Sequence, residues 1–279
     1  MTWQGASTNY RNCVLDLMSF SLGMPALIEM PDLHRLVDLC QELELSFIEL
    51  NMNMPDNCPE VLDPMEVRDI SRSTGIEFTL HSPDELDLGS LHPTVRDGHL
   101  SRMREALGWS SQAGVSVINM HMSPGIYFTL PDRRVWIYEK YIDEFTANLW
   151  RAYKEIIPLA KASGVQICTE NVNNFDLPFI VQAIDELCYM DSFYLTWDVG
   201  HDARSDFREQ KLLFKHVDRV KHMHLHDYNG KSDHQVPGTG ILDIPSYLSF
   251  AQKHDVRVLV EVKTPQALRD SVKAVRGML

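Results

Sequence analysis

The chain has 279 residues, of which 44% are hydrophobic, and this is ample for the core of one α/β domain. Its formal charge of −13 disfavours a sequence-independent grip on nucleic acid, because neutralising phosphates requires clustered Lys and Arg. Five widely spaced cysteines without a CxxC pair indicate neither a disulfide framework nor a thiolate zinc site. They are Cys13, Cys40, Cys58, Cys168 and Cys188.

The N-terminal segment gives no targeting signal. The first fifteen residues lack the basic start and the apolar stretch of a signal peptide, and no run reaches the roughly 18 apolar residues of a membrane span. We therefore expect a cytoplasmic protein with no membrane partner. The composition favours no oligomeric state, and a homo-oligomer is compatible with it.

After a polar N-terminal arm at residues 1–14, short apolar runs alternate with longer stretches of helical period. The predicted strands cover residues 15–22, 46–51, 77–81, 115–121, 165–171, 193–198, 220–226 and 257–262. The predicted helices include residues 30–44, 94–112, 135–162, 178–187, 205–216, 244–253 and 265–275. Eight βα units in residues 15–279 predict one α/β domain, a parallel (β/α)8 TIM barrel.

Capping residues support several of these boundaries. Asp32 predicts the start of the first helix and Thr264 the start of the last. A glycine follows each of three helical runs and precedes a strand, where a left-handed C-terminal residue is expected. These glycines are Gly75, Gly114 and Gly164.

Ionisable side chains occur near the ends of seven of the eight predicted strands. TIM-barrel active sites are built at the carboxyl ends of the strands, which surround one mouth. Each side chain alone has a structural explanation, because a carboxylate after a strand often caps the next helix and an imidazole often binds a neighbouring carbonyl. Together they predict a shared site. Its members are Glu49, His81, His121, Glu170, Asp198, His224 and Glu261.

The densest group of imidazoles lies in residues 221–240, which hold four of the twelve histidines. Side chains alternate faces along a strand, so His222, His224 and His226 all point the same way. A polar strand end with solvated imidazoles is the structural alternative. Carboxylate and imidazole groups without thiolate suit Zn, Mn, Co or Mg, and residue types do not fix the number of ions.

Seven short motifs, in their order and spacing, resemble the xylose-isomerase-like TIM-barrel superfamily, which contains sugar isomerases and epimerases and also endonuclease IV. The motifs are LHSP at 80–83, HMSPG at 121–125, TEN at 169–171, DVGH at 198–201, HLHD at 224–227, HQVPGTG at 234–240 and VEV at 260–262. The resemblance covers residues 15–275.

This resemblance implies one divalent metal ion, which would be Mn, Co, Mg or Zn. The ligands that it implies are Glu170, Asp198, His224 and Glu261. His222 and His226 are the alternatives to His224. His201 would bind a substrate oxygen.

The endonuclease IV pattern implies further zinc ligands, matched by His81 and His121 for one ion and by His201 and His234 for another. The carboxylate that this pattern places two residues before its last histidine falls on Ser232, and Asp233 is one position away. Gly230 stands where several ketose epimerases carry an arginine, so the resemblance implies no particular sugar.

We expect a metal-dependent isomerase or epimerase of a small sugar or related polyhydroxy carbonyl compound, acting by enediolate proton transfer. Glu170 and Glu261 are the predicted proton carriers. An endonuclease IV-like phosphodiesterase with two or three zinc ions, acting on abasic DNA, is the alternative. A non-catalytic sugar-binding barrel is a further alternative.

Glu49, His201 and Trp197 are the predicted substrate contacts. Trp197 and Tyr127 lie near strand ends and could wall a sugar pocket, with core or rim packing as the alternative. Gly238 to Gly240 form a Gly-Thr-Gly sequence without the Lys and the capped helix start of a P-loop, so we predict a tight turn there.

Overall fold

The computed structural model describes residues 20–279, and eight of its strands close into a parallel barrel. In chain order the strands are β1 (Leu22–Pro25), β2 (Phe47–Asn51), β3 (Glu77–His81), β4 (Val117–His121), β5 (Tyr127–Thr129), β6 (Arg134–Trp136), β7 (Gln166–Glu170), β8 (Phe193–Asp198), β9 (Val220–Leu225) and β10 (Arg257–Val260). The order around the barrel is β1, β10, β9, β8, β7, β4, β3 and β2, while β5 and β6 form a separate antiparallel hairpin. The predicted parallel (β/α)8 barrel is confirmed.

Helices connect the barrel strands. They are α1 (Leu33–Glu42), α2 (Pro64–Thr74), α3 (Pro93–Ala113), α4 (Ile137–Lys140), α5 (Ile142–Ser163), α6 (Pro178–Leu187), α7 (Val199–Arg204), α8 (Gln210–Lys215), α9 (Ile244–His254) and α10 (Pro265–Met278), with short 3₁₀ turns at Pro55–Asn57 and Val217–Arg219. None of the described helices combines the length and hydropathy that a membrane crossing requires.

The predicted capping residues are confirmed. Asp32 accepts a hydrogen bond from the Arg35 backbone at 2.9 Å, and Thr264 accepts one from the Ala267 backbone at 3.2 Å. The three predicted glycines adopt left-handed conformations after α2, α3 and α5, with φ of 78°, 80° and 70°. Local sequence therefore determines where these helices stop.

The first strand differs from its predicted position at residues 15–22. The structure places β1 at Leu22–Pro25, paired with β2 on one side and β10 on the other. Gly23 permits this close packing, because an added Cβ would lie 2.5 Å from the ring of Phe47. Residues 1–14, Cys13 and residues 15–19 of the predicted strand lie outside the described residues.

Two predicted helices are divided differently in the structure. The predicted helix at 135–162 begins instead with β6 and α4, and α5 starts only after Tyr141, whose φ of −116° and ψ of 47° interrupt the helix. The predicted helix at 205–216 is preceded by α7, which starts directly after β8. Asp198 makes this early start favourable, because its side chain caps α7 by accepting from the His201 backbone at 2.6 Å.

The barrel contains buried polar side chains beneath its mouth. Glu49, Thr79, Asn119, Thr196 and His222 are all 2% exposed or less. Apolar side chains of the same strands instead pack against the surrounding helices. Buried polar groups stabilise a fold only if they form hydrogen bonds. The hydrogen bonds of these side chains therefore hold the residues at the mouth of the barrel in position.

Candidate functional site

Four side chains from neighbouring barrel strands converge at the carboxyl ends of those strands. Glu170 ends β7, Asp198 ends β8, His224 lies in β9 and Glu261 follows β10. The Nδ1 atom of His224 lies 2.9 Å from Glu261 Oε2, 3.3 Å from Glu170 Oε2 and 3.9 Å from Asp198 Oδ2. One possible ligand atom from each of the four lies within 4.8 Å of the others. The fold thus brings together the whole set that the sequence predicts as metal ligands.

The His224 ring is oriented for coordination through Nδ1. That atom is buried and has no hydrogen-bond partner among the described residues. On the opposite edge of the ring, Nε2 lies 3.1 Å from Glu49 Oε1. With a cation bound, a carboxylate there would favour the proton on Nε2 and leave the Nδ1 lone pair to the ion. Because three carboxylates and one imidazole are a suitable donor set, these residues fit a divalent metal ion.

Glu49 lies below the mouth rather than in it. Its Oε2 atom lies 3.0 Å from His222 Nε2 and accepts a hydrogen bond from Thr79 at 2.9 Å. Burial would raise the pKa of Glu49, but the charges of His222 and His224 hold it well below its usual range. The structure therefore does not bring Glu49 to the predicted substrate contact, because its carboxylate is buried against these side chains.

Asp198 combines structural and candidate metal-binding contacts. Its Oδ1 atom caps α7, and its Oδ2 atom lies 3.1 Å from His226 Nε2. His226 accepts a backbone hydrogen bond from His234 on Nδ1 at 2.8 Å, so both ring nitrogens of His226 have partners. His226 therefore has no free lone pair, and His222 is directed at Glu49. Among the three histidines of β9 and its extension, the geometry favours His224 as a ligand.

Glu170 is held from below by Asn119. The Asn119 amide donates to Glu170 Oε2 at 2.5 Å and accepts from the Thr196 hydroxyl at 2.6 Å. Both supporting side chains are fully buried. They fix Oε2, the oxygen that also faces His224, while Oε1 lies 3.5 Å from His201 Nδ1.

Two histidines approach Glu170 from the β3 and β4 side. His81 Nε2 lies 3.5 Å and His121 Nε2 lies 3.7 Å from Glu170 Oε2. Both Nδ1 atoms are within 3.9 Å of Asp84 Oδ1, and His81 Nδ1 also contacts the Ser82 carbonyl at 2.7 Å. The Nε2 atoms are thus available to a second ion or to a substrate.

A third group lies on the β8 and β9 side of the mouth. His234 Nδ1 lies 3.0 Å from Asp233 Oδ1, and His201 Nε2 lies 3.9 Å from Asp233 Oδ2. The Asp233 carboxylate therefore lies beside both imidazoles. The endonuclease IV pattern expects this carboxylate at position 232, where the chain has Ser232, which is exposed.

The surplus of carboxylates raises the pKa of His81, His201 and His224, whereas burial lowers the pKa of His121 and His222. Burial lowers the pKa of His201, but the charge of Asp198 and the nearby Glu170 raise it to about 10. Burial likewise opposes protonation of His81, and Glu170 raises the pKa to about 9. For His224, burial is outweighed by Glu170, Glu261 and Glu49, and its pKa lies well above the usual range. Before a cation binds, the neighbouring carboxylates therefore favour the protonated forms of His81, His201 and His224.

Comparison with known proteins identifies the family. A model of the xylose isomerase-like TIM barrel matches residues 37–278. The chain belongs to this family. An uncharacterised protein of Methanocaldococcus jannaschii is 25% identical over 198 residues, covering 70% of this chain and 74% of that protein.

Solved structures share the fold. A D-tagatose 3-epimerase-like protein matches with a TM-score of 0.73 at 21% identity, covering 91% of this chain and 94% of that chain. The 3-keto-D-glucoside 4-epimerase from E. coli matches with a TM-score of 0.72 at 17% identity, covering 92% and 99%. At these identities the likeness shows the shared barrel fold alone.

Within this xylose isomerase-like barrel, Trp197 lies away from the mouth. It is 3% exposed, it packs edge-on against Phe214, Tyr247 and Phe250, and its indole donates to Asp202 at 3.3 Å. Strand alternation explains this position, because the neighbouring Asp198 faces the mouth. The structure does not bring Trp197 to the site, where the sequence placed it as a substrate contact.

The turn at Gly238 to Gly240 is held by Asp227 of the HLHD motif. Asp227 Oδ2 accepts from the Gly238 and Gly240 backbones at 2.9 and 2.8 Å. These N–H groups are therefore already bonded, and a side chain at Gly240 would lie 2.3 Å from Asp227 Oδ1. The segment is an anchored loop, in agreement with the predicted tight turn.

Several contributing residues were not identified from the sequence. Asn119 lies two positions before His121, so strand periodicity could have placed both on one face. Lys263 lies two positions after Glu261 and contacts its Oε1 atom at 2.7 Å. Asn171, the last residue of TEN, accepts from the Asp198 backbone at 2.7 Å, a contact for which the sequence gives no signal.

Proposed function

We propose that this protein is a divalent-metal-dependent isomerase or epimerase of a small sugar or related polyhydroxy carbonyl compound. The observation that carries the proposal is the convergence of Glu170 and Glu261 on His224 Nδ1, at 3.3 and 2.9 Å. These two carboxylates come from β7 and from the end of β10, with β8 and β9 between them. Membership of the xylose isomerase-like family and the sugar epimerases among its structural neighbours support the class of reaction.

The two glutamates would act as the proton carriers. A bound divalent ion would supply Lewis-acid polarisation of the substrate carbonyl and its neighbouring hydroxyl. Glu170 would remove a proton from the carbon beside the carbonyl, and Glu261, entering the step protonated, would donate a different proton to the opposite face of the enediolate. General acid and base catalysis of this kind contributes typically about 10²–10⁴-fold. His201, at the mouth, would bind a substrate oxygen.

Deuterium exchange tests this proposal directly. Metal-loaded protein would be incubated with a panel of ketoses and ketose phosphates in D₂O, with NMR detection at the carbon beside the carbonyl. We expect uptake into at least one substrate, and a Glu261→Gln variant that keeps its metal but loses about 100-fold or more of the rate. Glu29→Gln, at an exposed position, is the matched control. Full activity in metal-loaded Glu261→Gln would contradict the role of Glu261.

A second candidate is a multinuclear phosphodiesterase. The observation that favours it is the approach of His81 and His121 Nε2 to the same oxygen of Glu170, at 3.5 and 3.7 Å. Two-metal hydrolases need a second ion roughly 3.5–4 Å from the first. Metal counting on protein purified without chelator, together with an abasic-site cleavage assay, tests this candidate. Two or three zinc ions with strand cleavage would favour it over the isomerase.

A further inference from the structure

Five charged or ionisable side chains form a continuous chain along the β8 to β10 side of the mouth. Arg204 contacts Asp233 Oδ2 at 2.9 Å, and Asp233 Oδ1 lies 3.0 Å from His234 Nδ1. The other edge of the His234 ring lies 3.3 Å from Glu261 Oε1, which Lys263 contacts at 2.7 Å. We call this set the rim chain. It has a cation at each end: Lys263 pairs with the candidate ligand Glu261, and Arg204 pairs with Asp233.

A bound metal ion would affect the ion pair at one end of the rim chain more than the ion pair at the other end. Lys263 pairs with Glu261, which is one of the four candidate ligands, and the Lys263 side chain is 62% exposed. A cation bound between the ligands would share the charge of Glu261, so the Lys263 ammonium would be left with less compensation at an accessible position. Arg204 instead pairs with Asp233, which is outside that ligand group.

The opposite side of the mouth has a carboxylate without a Lys or Arg partner in the described part of the chain. Asp84 lies beside His81 and His121, is 56% exposed and has no Lys or Arg within ion-pair distance among residues 20–279. On the rim chain, by contrast, Lys263 and Arg204 supply cationic side chains that could pair with an anionic end of a ligand. Lys and Arg side chains thus lie on one side of the mouth, at the ends of the rim chain.

We propose that Lys263 is a specificity-determining residue that binds an anionic group of the substrate, a phosphate monoester or a carboxylate remote from the reacting carbons. This inference rests on the proposed isomerase or epimerase function and adds the substrate class to it. The competing explanation is that Lys263 only balances the carboxylates around the candidate ligands. That explanation predicts an effect on metal affinity and none on the preference for anions.

Ligand binding without turnover tests the inference. Calorimetry on Mn²⁺-saturated protein would compare glycerol 3-phosphate, D-glycerate and glycerol, which share a short polyol frame and differ in the anionic group. We expect an anion to bind more tightly than glycerol, and Lys263→Met to weaken that anion about fivefold, as for a partly exposed ion pair. The tighter of the two anions identifies phosphate or carboxylate as the recognised group.

Matched variants separate the alternatives. Lys231→Met removes the same charge from an exposed position on the loop after β9 and should leave the affinities unchanged. Lys263→Arg should keep the anion preference. Equal binding of all three probes by the wild type, or an undiminished anion preference in Lys263→Met, would overturn the inference. Since no turnover is measured, a failure of the deuterium-exchange test would leave an anion preference mediated by Lys263 visible.

Discussion

Glu49 lies directly behind His224, with its Oε1 atom 3.1 Å from the ring Nε2. Since that contact fixes which nitrogen carries the proton, we expect Glu49→Gln to weaken divalent metal binding about 10- to 100-fold, the usual effect of losing a carboxylate that orients a histidine ligand. Competition with a chromophoric chelator measures the change.

The Glu49 test needs a control for damage to the barrel interior. Thr79→Val removes the hydroxyl that donates to Glu49 at 2.9 Å but keeps the carboxylate and the shape of the side chain. Its metal affinity should stay closer to that of the wild type. Equal affinity in Glu49→Gln and the wild type would show that the ring is oriented without Glu49.

Metal binding should release protons, with an affinity that rises with pH. In the absence of a cation, the pKa of His224 lies well above its ordinary value, and those of His81 and His201 are raised to about 9 and about 10. A ligand nitrogen must lose its proton, so lowering the pH favours the proton over the metal. We expect at least about one proton released per ion at neutral pH and a continuing gain in affinity above it.

Calorimetry in buffers with different ionisation enthalpies measures this release. An apparent binding enthalpy that does not depend on the buffer would contradict the prediction. His34 is exposed, pairs with Glu66 and is outside the candidate ligand groups, so His34→Ala should leave the proton count unchanged.

Asp227 should be needed for the order of the loop that follows β9. Its two oxygens accept four backbone hydrogen bonds, from Tyr228, Gly238, Gly240 and Leu242, at 2.8 to 3.1 Å. Asparagine would turn an amide donor toward these N–H groups. We expect Asp227→Asn to lose roughly 1–3 kcal/mol of unfolding free energy and to be cleaved faster within residues 231–240.

Chemical denaturation and limited proteolysis together check the Asp227 prediction. Asp255→Asn makes the same change at an exposed helix end, where asparagine also tolerates the left-handed conformation with φ of 52°. It should match the wild type in both measurements. Unchanged proteolysis of Asp227→Asn would mean that other contacts hold the loop.

The sequence predicted the barrel well because its strands and helices have strong local signals. The strands at 77–81 and 193–198 match β3 and β8 at both ends, and capping residues gave the C-termini of three helices. Residues that end strands share one mouth in any (β/α)8 barrel, so the candidate ligands could be grouped before their distances were known.

What the sequence could not provide depends on contacts between distant strands. Glu49 looked like its neighbours around the mouth, and only the positions of Thr79 and His222 place its carboxylate below His224. Trp197 lies next to Asp198, but strand alternation turns it toward α8 and α9. Strand alternation could be read from the sequence at Glu49 and at Trp197. Without the packing of the strands it did not show which face of each strand belongs to the site.

His121 separates the two candidate functions. Its Nε2 atom lies 3.7 Å from Glu170 Oε2, close enough to complete a second metal site or to donate to a substrate. An isomerase needs one ion, whereas a two-metal phosphodiesterase needs the second for the reaction itself. We expect about one tightly held ion per chain in the wild type and the same number in His121→Ala, with turnover reduced in the variant.

Elemental analysis, deuterium exchange and abasic-site cleavage should be measured on the same preparations of the wild type and His121→Ala. His99→Ala is the matched control, because His99 accepts from the Asp87 backbone at 3.0 Å on α3 and is outside the ligand groups. If the wild type holds two or three ions and cleaves abasic DNA, and His121→Ala loses one ion together with cleavage, His121 is a metal ligand of a phosphodiesterase. If the ion count stays near one while exchange falls, His121 contacts the substrate, and the arrangement of Glu170 and Glu261 around a single ion accounts for the chemistry.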